Sequence, residues 1–312
     1  MEIIELTYPH SYKRESLPNT VAAIGLFDGI HLGHQMVIQK AIDQARVAGK
    51  TSAVVTFHPN PAVVLSGGKK PANYILPLKE KFAVLEEMGV DRVYNIRFDK
   101  QLSKLSPARF LEHFITQLHI THLVAGFDYS FGHKGAGNMK NIDSYMNGEF
   151  TYEVMDKLTD TDEKISSTRI RKELEAGNVT EVSRLLGRPY TTTAPVIEGD
   201  KRGRTIGFPT ANMEINADLR LPTRGVYAVL TFVHDKEYIG LANIGFVPTF
   251  KTGEPELSLE VYILDFDADI YGKEITIEWL EKVRDEKKFS GVEELVTQLR
   301  ADEKFAREHF YK

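Results

Sequence analysis

The apolar residues of this chain change period in a regular order, and that order constrains the fold more than any other feature. Val21–Phe27 is a short apolar run of the kind that fills a buried strand. Val37, Ile38, Ala41, Ile42 and Ala45 then recur at helical spacing between Gly33 and Ala48, with Gly49 placed to stop the helix. Thr51–Phe57 reads as the next strand and Leu78–Met88 as a second amphipathic helix ended by Gly89. Arg92–Phe98 is a third strand, Pro107–Leu118 a third helix with proline in its first turn, and Thr121–Phe127 a fourth strand. The opening residues, MEIIELTYPHSYKRE, read as a short strand followed by polar residues. Strands and helices alternating at this spacing predict an α/β domain, a doubly wound parallel sheet with helices on both faces. Ligands of such sheets sit beyond the carboxyl ends of the strands.

The rhythm changes after Leu186. The segment LLGRPY, residues 185–190, carries glycine and proline and marks a boundary. Beyond it, Gly225–Val233, Glu237–Ile244, Leu257–Phe266 and Glu274–Leu280 are strand-like runs with few helical patterns between them. Short strands separated by turns predict a small antiparallel β-barrel. Val292, Leu295, Val296, Leu299, Phe305 and Phe310 predict a closing amphipathic helix over Val292–Phe310. The expected domains are therefore 1–186 and 187–312.

Composition narrows the chemistry. The chain of 312 residues has no cysteine, which removes disulfides, thiolate nucleophiles and cysteine-ligated zinc. A net charge of −5 gives no blanket attraction to nucleic acid or anionic lipid. No apolar run approaches the roughly 18 residues of a membrane span, and the N-terminus lacks the order of a signal peptide. A cytoplasmic enzyme is the expected class, with no nucleic-acid or membrane partner; the sequence leaves its oligomeric state open.

The first apolar strand runs into Phe27-Asp28-Gly29-Ile30-His31-Leu32-Gly33-His34. Two histidines three apart, with a glycine between them, open a helix directly after a strand. Helix N-termini attract phosphate through unpaired N–H groups and the helix dipole. Imidazoles there add hydrogen bonds to a polyphosphate and, if protonated, charge. The arrangement suits nucleotidyl transfer, where positioning and electrostatics supply the rate without a covalent intermediate. The plainer alternative is two helix-capping histidines. Residues 165–171, Ile-Ser-Ser-Thr-Arg-Ile-Arg, place hydroxyls just before a second helical stretch whose first turn is basic. An N-cap serine explains the hydroxyls. The basic residues oppose the helix dipole, and an anion bound there removes the conflict.

HLGH and ISSTRIR together resemble the nucleotidylyltransferase superfamily. With GLFDGIHLGH (25–34), TFHPNP (56–61), GFDYSFG (126–132) and the following Gly137-Asn138, the set resembles the FMN adenylyltransferase module of bacterial bifunctional riboflavin kinase/FAD synthetases. The resemblance implies that His31 and His34 hold ATP phosphates, with Ser166, Ser167, Thr168 and Arg171 closing over them. Gly25, Phe27 and Asp28 would line the nucleotide cleft. Asp128 and the aromatic residues around it, Phe131 included, would face the flavin, as would His58 and Asn60. Asn60 stands where the family often has a histidine. His58, at a strand end beside Pro59, is equally readable as a loop residue satisfying a carbonyl.

In the second half, residues 199–212 read GDKRGRTIGFPTAN. Glycines interleaved with Lys201, Arg202 and Arg204 suit phosphate cradling by backbone N–H groups. Thr210 and Asn212 share one face of an extended segment and offer hard oxygen ligands of the kind Mg²⁺ takes alongside nucleotide phosphates. A turn-rich surface hairpin is the alternative. Glu260 is a carboxylate inside the strand-like run LSLEVY, where it serves as a general base or simply faces solvent. GRTIGFPTAN, GVYAV (225–229), NIGFVPTF (243–250), LEVYILDFDADIYG (259–272) and VRDEKKF (283–289) resemble, in order, the bacterial riboflavin kinase module. That resemblance implies Thr210 and Asn212 on Mg²⁺, Glu260 as base, and Gly199, Lys201, Gly207 and Phe208 with Thr210 at the bound ATP. Arg284 would contact flavin or phosphate. Tyr262 stands where many relatives have histidine. The two modules together imply FAD made from riboflavin by two ATP-dependent steps through FMN. Competing expectations are an adenylyltransferase with a flavin-binding but weak or inactive kinase domain, a flavin-sensing regulator, and a nucleotidylyltransferase with another acceptor.

Overall fold

The structure, a computed structural model, describes residues 1–199, 202–234, 236–247 and 256–310. Its first compact unit is Met1–Ser167 and its second Thr168–Lys312. The first unit is built on the strands β1 (Glu2–Leu6), β2 (Thr20–Ile24), β3 (Thr51–His58), β4 (Arg92–Arg97) and β5 (Ile120–Gly126). A two-residue ribbon, β6 (Ser130–Phe131) with β7 (Gly137–Asn138), precedes the last sheet strand, β8 (Thr151–Met155). A second ribbon, β9 (Thr159–Asp160) with β10 (Glu163–Lys164), follows it. The main sheet is parallel throughout, in the order β1-β4-β3-β2-β5-β8.

Helices cover both faces of this sheet. Along β2, Val21 and Ala23 pack with Val37, Ile38 and Ala41 of helix α1 (Leu32–Ala48). Ala22 and Ile24 enter the opposite layer with Phe110, Leu111 and Phe114. Strand periodicity of two thus feeds two cores, as a doubly wound sheet requires. Short α2 (Pro61–Leu65) and α3 (Leu78–Glu87) lie between β3 and β4, and Leu85 of α3 joins the α1 layer. The helix expected over 107–118 is α4 (Pro107–Leu111) continued by a π-helical turn at Glu112–Thr116, in which Gln117 N–H reaches the Glu112 carbonyl at 2.9 Å.

The sheet order places a switch point at β2. From β2 the chain moves to β3 and then β4 on one side, and returns to lay β5 on the other. Ile24 ends β2 in register with Ala125 of β5. The segments GLFDGIHLGH and GFDYSFG leave these two strands, so both occupy the crevice where open α/β sheets bind ligands.

The second unit begins with α5 (Ser167–Ala176) and α6 (Val179–Leu186), followed by β11 (Thr191–Ile197), a short α7 (Arg202–Thr205) and β12 (Thr210–Met213). Then come β13 (Gly225–Val233), β14 (Lys236–Val247), β15 (Glu256–Ile263), β16 (Glu274–Arg284) and α8 (Val292–Phe310). The strands close an antiparallel barrel in the order β11-β12-β15-β14-β13-β16. The helix α6 leans on it: Thr180 Oγ1 donates to the Leu280 carbonyl at 2.8 Å, and Val182, Leu185 and Leu186 are buried. The compact units therefore meet between Ser167 and Thr168, ahead of the glycine-proline punctuation at 185–190.

Candidate active sites

The end of β2 and the start of α1 form a tight, strained loop. His31 is the N-cap of α1, its Nδ1 accepting the His34 backbone N–H at 3.2 Å. With Nδ1 an acceptor, the proton of the neutral ring sits on Nε2. The capping reading of His31 and the phosphate reading are therefore compatible, because they use opposite nitrogens. The His34 ring stacks on His31 with centroids 3.6 Å apart and meets the edge of Phe27 at 5.3 Å. Burial holds the His34 imidazole well below its usual pKa, and the charges of His31, Lys81 and Lys164 push it the same way. His34 is thus neutral at pH 7 and offers N–H donation rather than charge. Gly25 is required under Phe27: a Cβ there would stand 2.9 Å from the aromatic ring.

Asp28 is 2% exposed, and its Oδ1 accepts the N–H groups of Ile75 and Leu76 at 3.0 and 3.3 Å. The carboxylate is committed to backbone, so Asp28 supports the loop from behind. Ser167 Oγ donates to the Asp28 carbonyl at 2.9 Å, which brings the ISSTRIR serine to the HLGH loop. Ser166 is half-buried beside it, while Thr168 and Arg171 belong to the second unit. Arg169, whose basic character in the first turn of α5 pointed to an anion, pairs with Glu181 of α6 at 2.9 Å. Part of that signal is therefore an intramolecular ion pair.

At the end of β3, Asn60 caps α2 by accepting the Ala62 N–H at 2.9 Å, and its own N–H reaches the Tyr74 hydroxyl at 2.8 Å. His58 stacks on Tyr74 with centroids 5.7 Å apart. Beyond β3 and β4 lies a cleft of about 430 Å³ lined by Pro59, Val64, Arg97, Phe98 and Asp99 among others. Asp128 forms a salt bridge with Lys164, whose ammonium also lies 4.6 Å over the Phe127 ring. Phe131 is buried in the core, stacked on Phe110 and Tyr129. Lys81 and Tyr74, both at this end of the unit, were not singled out from sequence; a lysine in an amphipathic helix and a tyrosine in a loop carry no local mark.

In the barrel, strand register assembles the polar row. Asn212 of β12 lies opposite Glu260 of β15, and Asn243 of β14 lies opposite Glu260 on its other side. Thr210 Oγ1 donates to Glu260 Oε2 at 3.1 Å. Leu259 and Val261, which alternate with Glu260, are buried on the other face. Gly199 leaves space for Asn212: a Cβ there would fall 2.2 Å from the amide nitrogen. Phe208 is buried edge-on to Tyr262 at 5.2 Å, and Gly207 precedes it in an exposed turn. Lys201 lies outside the described residues. Asn243 escaped the sequence reading although, like Glu260, it is a polar residue in an apolar run. Arg284 NH2 pairs with Asp302 Oδ2 of α8 at 2.8 Å, and Asp302 is 2% exposed.

A family model described as FAD synthetase matches residues 13–169, and one described as riboflavin kinase matches residues 186–310. The chain is 47% identical over 312 residues to the bifunctional riboflavin kinase/FMN adenylyltransferase of Listeria monocytogenes, covering 100% of this chain and 99% of that protein. It is a member of the bifunctional riboflavin kinase/FMN adenylyltransferase family. The Bacillus subtilis protein of the same name is 43% identical over 311 residues, covering 99% and 98% of the two chains. A solved structure described as a macrolide-efflux protein from Streptococcus pneumoniae superposes with a TM-score of 0.86 at 33% identity, covering 98% of this chain and 99% of that one. Among the described residues, no helix is long and apolar enough to cross a membrane.

Proposed function

We infer that this enzyme makes FAD from riboflavin in two transfers, one in each unit. The observation that carries the reading is that each unit carries its own motif set on its own fold: HLGH at the switch point of a parallel sheet, and Asn212, Glu260 and Thr210 gathered by register in a barrel. The barrel unit phosphorylates riboflavin to FMN. The parallel-sheet unit adenylates FMN.

In the kinase step the riboflavin hydroxyl oxygen bonds to the γ-phosphorus of ATP, ADP leaves, and Glu260 takes the hydroxyl proton. The hydrogen bond from Thr210 orients Glu260 and leaves the threonine lone pairs pointing away. Thr210 and Asn212 are hard oxygen donors on one strand face, a set that fits Mg²⁺ sharing its sphere with nucleotide phosphates. Held there, such an ion would supply charge neutralisation to the transferring phosphoryl group. Phe208, Gly199 and Gly207 flank the nucleotide, whereas the Arg284 guanidinium is held by Asp302 and the Asp285 carbonyl and supports this end of the barrel. The pairing of Thr210 with Glu260 favours a working kinase over a merely flavin-binding domain.

In the adenylyl transfer an FMN phosphate oxygen attacks the α-phosphorus of ATP and pyrophosphate leaves. His31 donates through Nε2, the amide N–H groups opening α1 add their dipole, and neutral His34 donates a further N–H. Ser166 and Ser167 close on this side, while His58, Asn60 and Asp128 border the flavin. A cytoplasmic location suits an ATP-consuming enzyme of this kind. Incubation with riboflavin, ATP and Mg²⁺ followed by separation of the flavins tests the whole reading. The intact chain yields FAD, and His31→Ala with His34→Ala accumulates FMN. FAD formation at the wild-type rate in that variant rejects the phosphate role of the histidines.

A further inference from the structure

Lys81 is a lysine that the reading so far leaves without a task. It projects from α3 and is 2% exposed, a burial that lysine adopts only with a partner. Its Nζ donates to the Leu26 carbonyl at 2.9 Å, and Thr56 Oγ1 donates to the same oxygen at 3.1 Å. Asp28, two residues on, reaches the other way and accepts the N–H groups of Ile75 and Leu76, just ahead of α3. Loop 25–30 and the α3 segment therefore hold each other through two buried, oppositely charged side chains. The backbone at these anchor points is strained: Phe27, between Leu26 and Asp28, has φ 47°, and Ile30, two residues past Asp28, has φ 40°, a region that non-glycine residues rarely enter. Such conformations persist only where their surroundings over-determine them. The strained residues carry the site, since Phe27 meets the His34 ring and Ile30 directly precedes His31.

We propose that Lys81 is a positioning residue of the adenylyltransferase, forming with Asp28 a buried clamp that keeps loop 25–30 strained and so presents His31 and His34 to the ATP phosphates. The proposal rests on the phosphate role of the two histidines. Burial lowers the Lys81 ammonium to about 8 against the opposing pull of Asp28. His34 feels the charge of Lys81 along with those of His31 and Lys164, and Glu80 lies beside Lys81 on α3. At pH 7 the clamp holds its proton on Lys81 and leaves His34 neutral. As pH rises through about 8 the ammonium is lost, and with it the charged half of the clamp, while the Ile75 and Leu76 amides still hold Asp28.

The test uses the full chain and reads FMN adenylation and riboflavin phosphorylation side by side. Lys81→Met keeps the apolar stem and removes the charge. FAD formation from supplied FMN, as kcat/KM for ATP, is expected to fall by about tenfold to a hundredfold, the scale of a misplaced reacting geometry. Riboflavin phosphorylation is expected to stay at the wild-type rate. In the wild type, FAD formation should fall about tenfold between pH 7 and pH 9, as a group titrating near 8 requires. Lys81→Arg should retain most of the rate and lose that alkaline limb, because guanidinium does not deprotonate. Wild-type adenylation and an unchanged pH profile in Lys81→Met overturn the proposal. If Lys81→Met does not fold, a wild-type profile that stays flat between pH 7 and pH 9 overturns it equally. If His31→Ala with His34→Ala leaves adenylation intact while Lys81→Met abolishes it, the phosphate reading has failed and Lys81 acts elsewhere.

Discussion

Replacing Asp302 by alanine should lower the stability of the barrel unit by several kcal/mol. The Asp302 carboxylate is buried and takes four contacts: Arg284 Nε at 2.9 and 3.1 Å, Arg284 NH2 at 2.8 Å and Gln298 Nε2 at 2.8 Å. Breaking a buried ion pair from one side typically costs about 3–5 kcal/mol, because the partner charge is left behind. The Arg284 side chain is 18% exposed and regains some water, so the low end of that range, about 3 kcal/mol, is expected. For a unit of this size each kcal/mol moves Tm by roughly 2–4 °C, giving a drop of roughly 6–12 °C. The chain has one tryptophan, and it lies in the barrel. Trp279 is 1% exposed, stands edge-on to Tyr227 at 5.2 Å and donates to Thr192 Oγ1 at 3.0 Å. Its fluorescence, excited where tyrosine does not absorb, reports melting of this unit alone. A paired replacement, Asp302→Leu with Arg284→Met, removes both charges and should recover most of the loss. A drop of less than about 2 °C in Asp302→Ala would refute the reasoning, since a committed ion pair cannot vanish so cheaply.

Two further outcomes follow from the barrel. Glu260→Gln should lower FMN production by about 10²–10⁴-fold with little change in riboflavin and ATP binding and with adenylation intact; a loss within about threefold would make Glu260 a solvated strand residue. A fragment of residues 168–312 should melt cooperatively and phosphorylate riboflavin, whereas 187–312 should be less stable because it lacks the buried Val182, Leu185 and Leu186 of α6. Equal melting temperatures by Trp279 fluorescence would show that α6 contributes nothing to the barrel.

The four inner strands of the sheet were legible because they are largely buried and read as continuous apolar runs, as Thr51–His58 does, whereas the half-exposed edge strand Thr151–Met155 was not. β11 was not legible: Thr191–Ile197 spells TTTAPVI, polar and proline-bearing, and its pairing with β16 spans about half of the second unit. The π-helical turn at Glu112–Thr116 was also invisible, since one altered hydrogen bond barely disturbs a helical apolar pattern. Of the two sites, motif-bearing residues such as His31 and Glu260 stood out because their residue types are costly where they sit. Lys81, Asp302 and Asn243 did not, because each becomes informative only through a partner distant in the chain: Leu26, Arg284 and Glu260. Asp302 in particular sits in RADEK, a sequence that reads as solvated charge.

The stacked histidine pair also bears on how the two rings could meet a metal ion. Imidazole is a common ligand of zinc, copper and nickel, and two neighbouring histidines can share one such ion when their lone pairs converge. Here the rings lie nearly parallel, 19° apart, so their in-plane lone pairs run side by side and do not converge on a point. The Nδ1 lone pair of His31 is already spent on its own helix. Stacked in this way, with one ring nitrogen of His31 tied to the backbone, the two imidazoles are poorly disposed to chelate a single transition-metal ion between them.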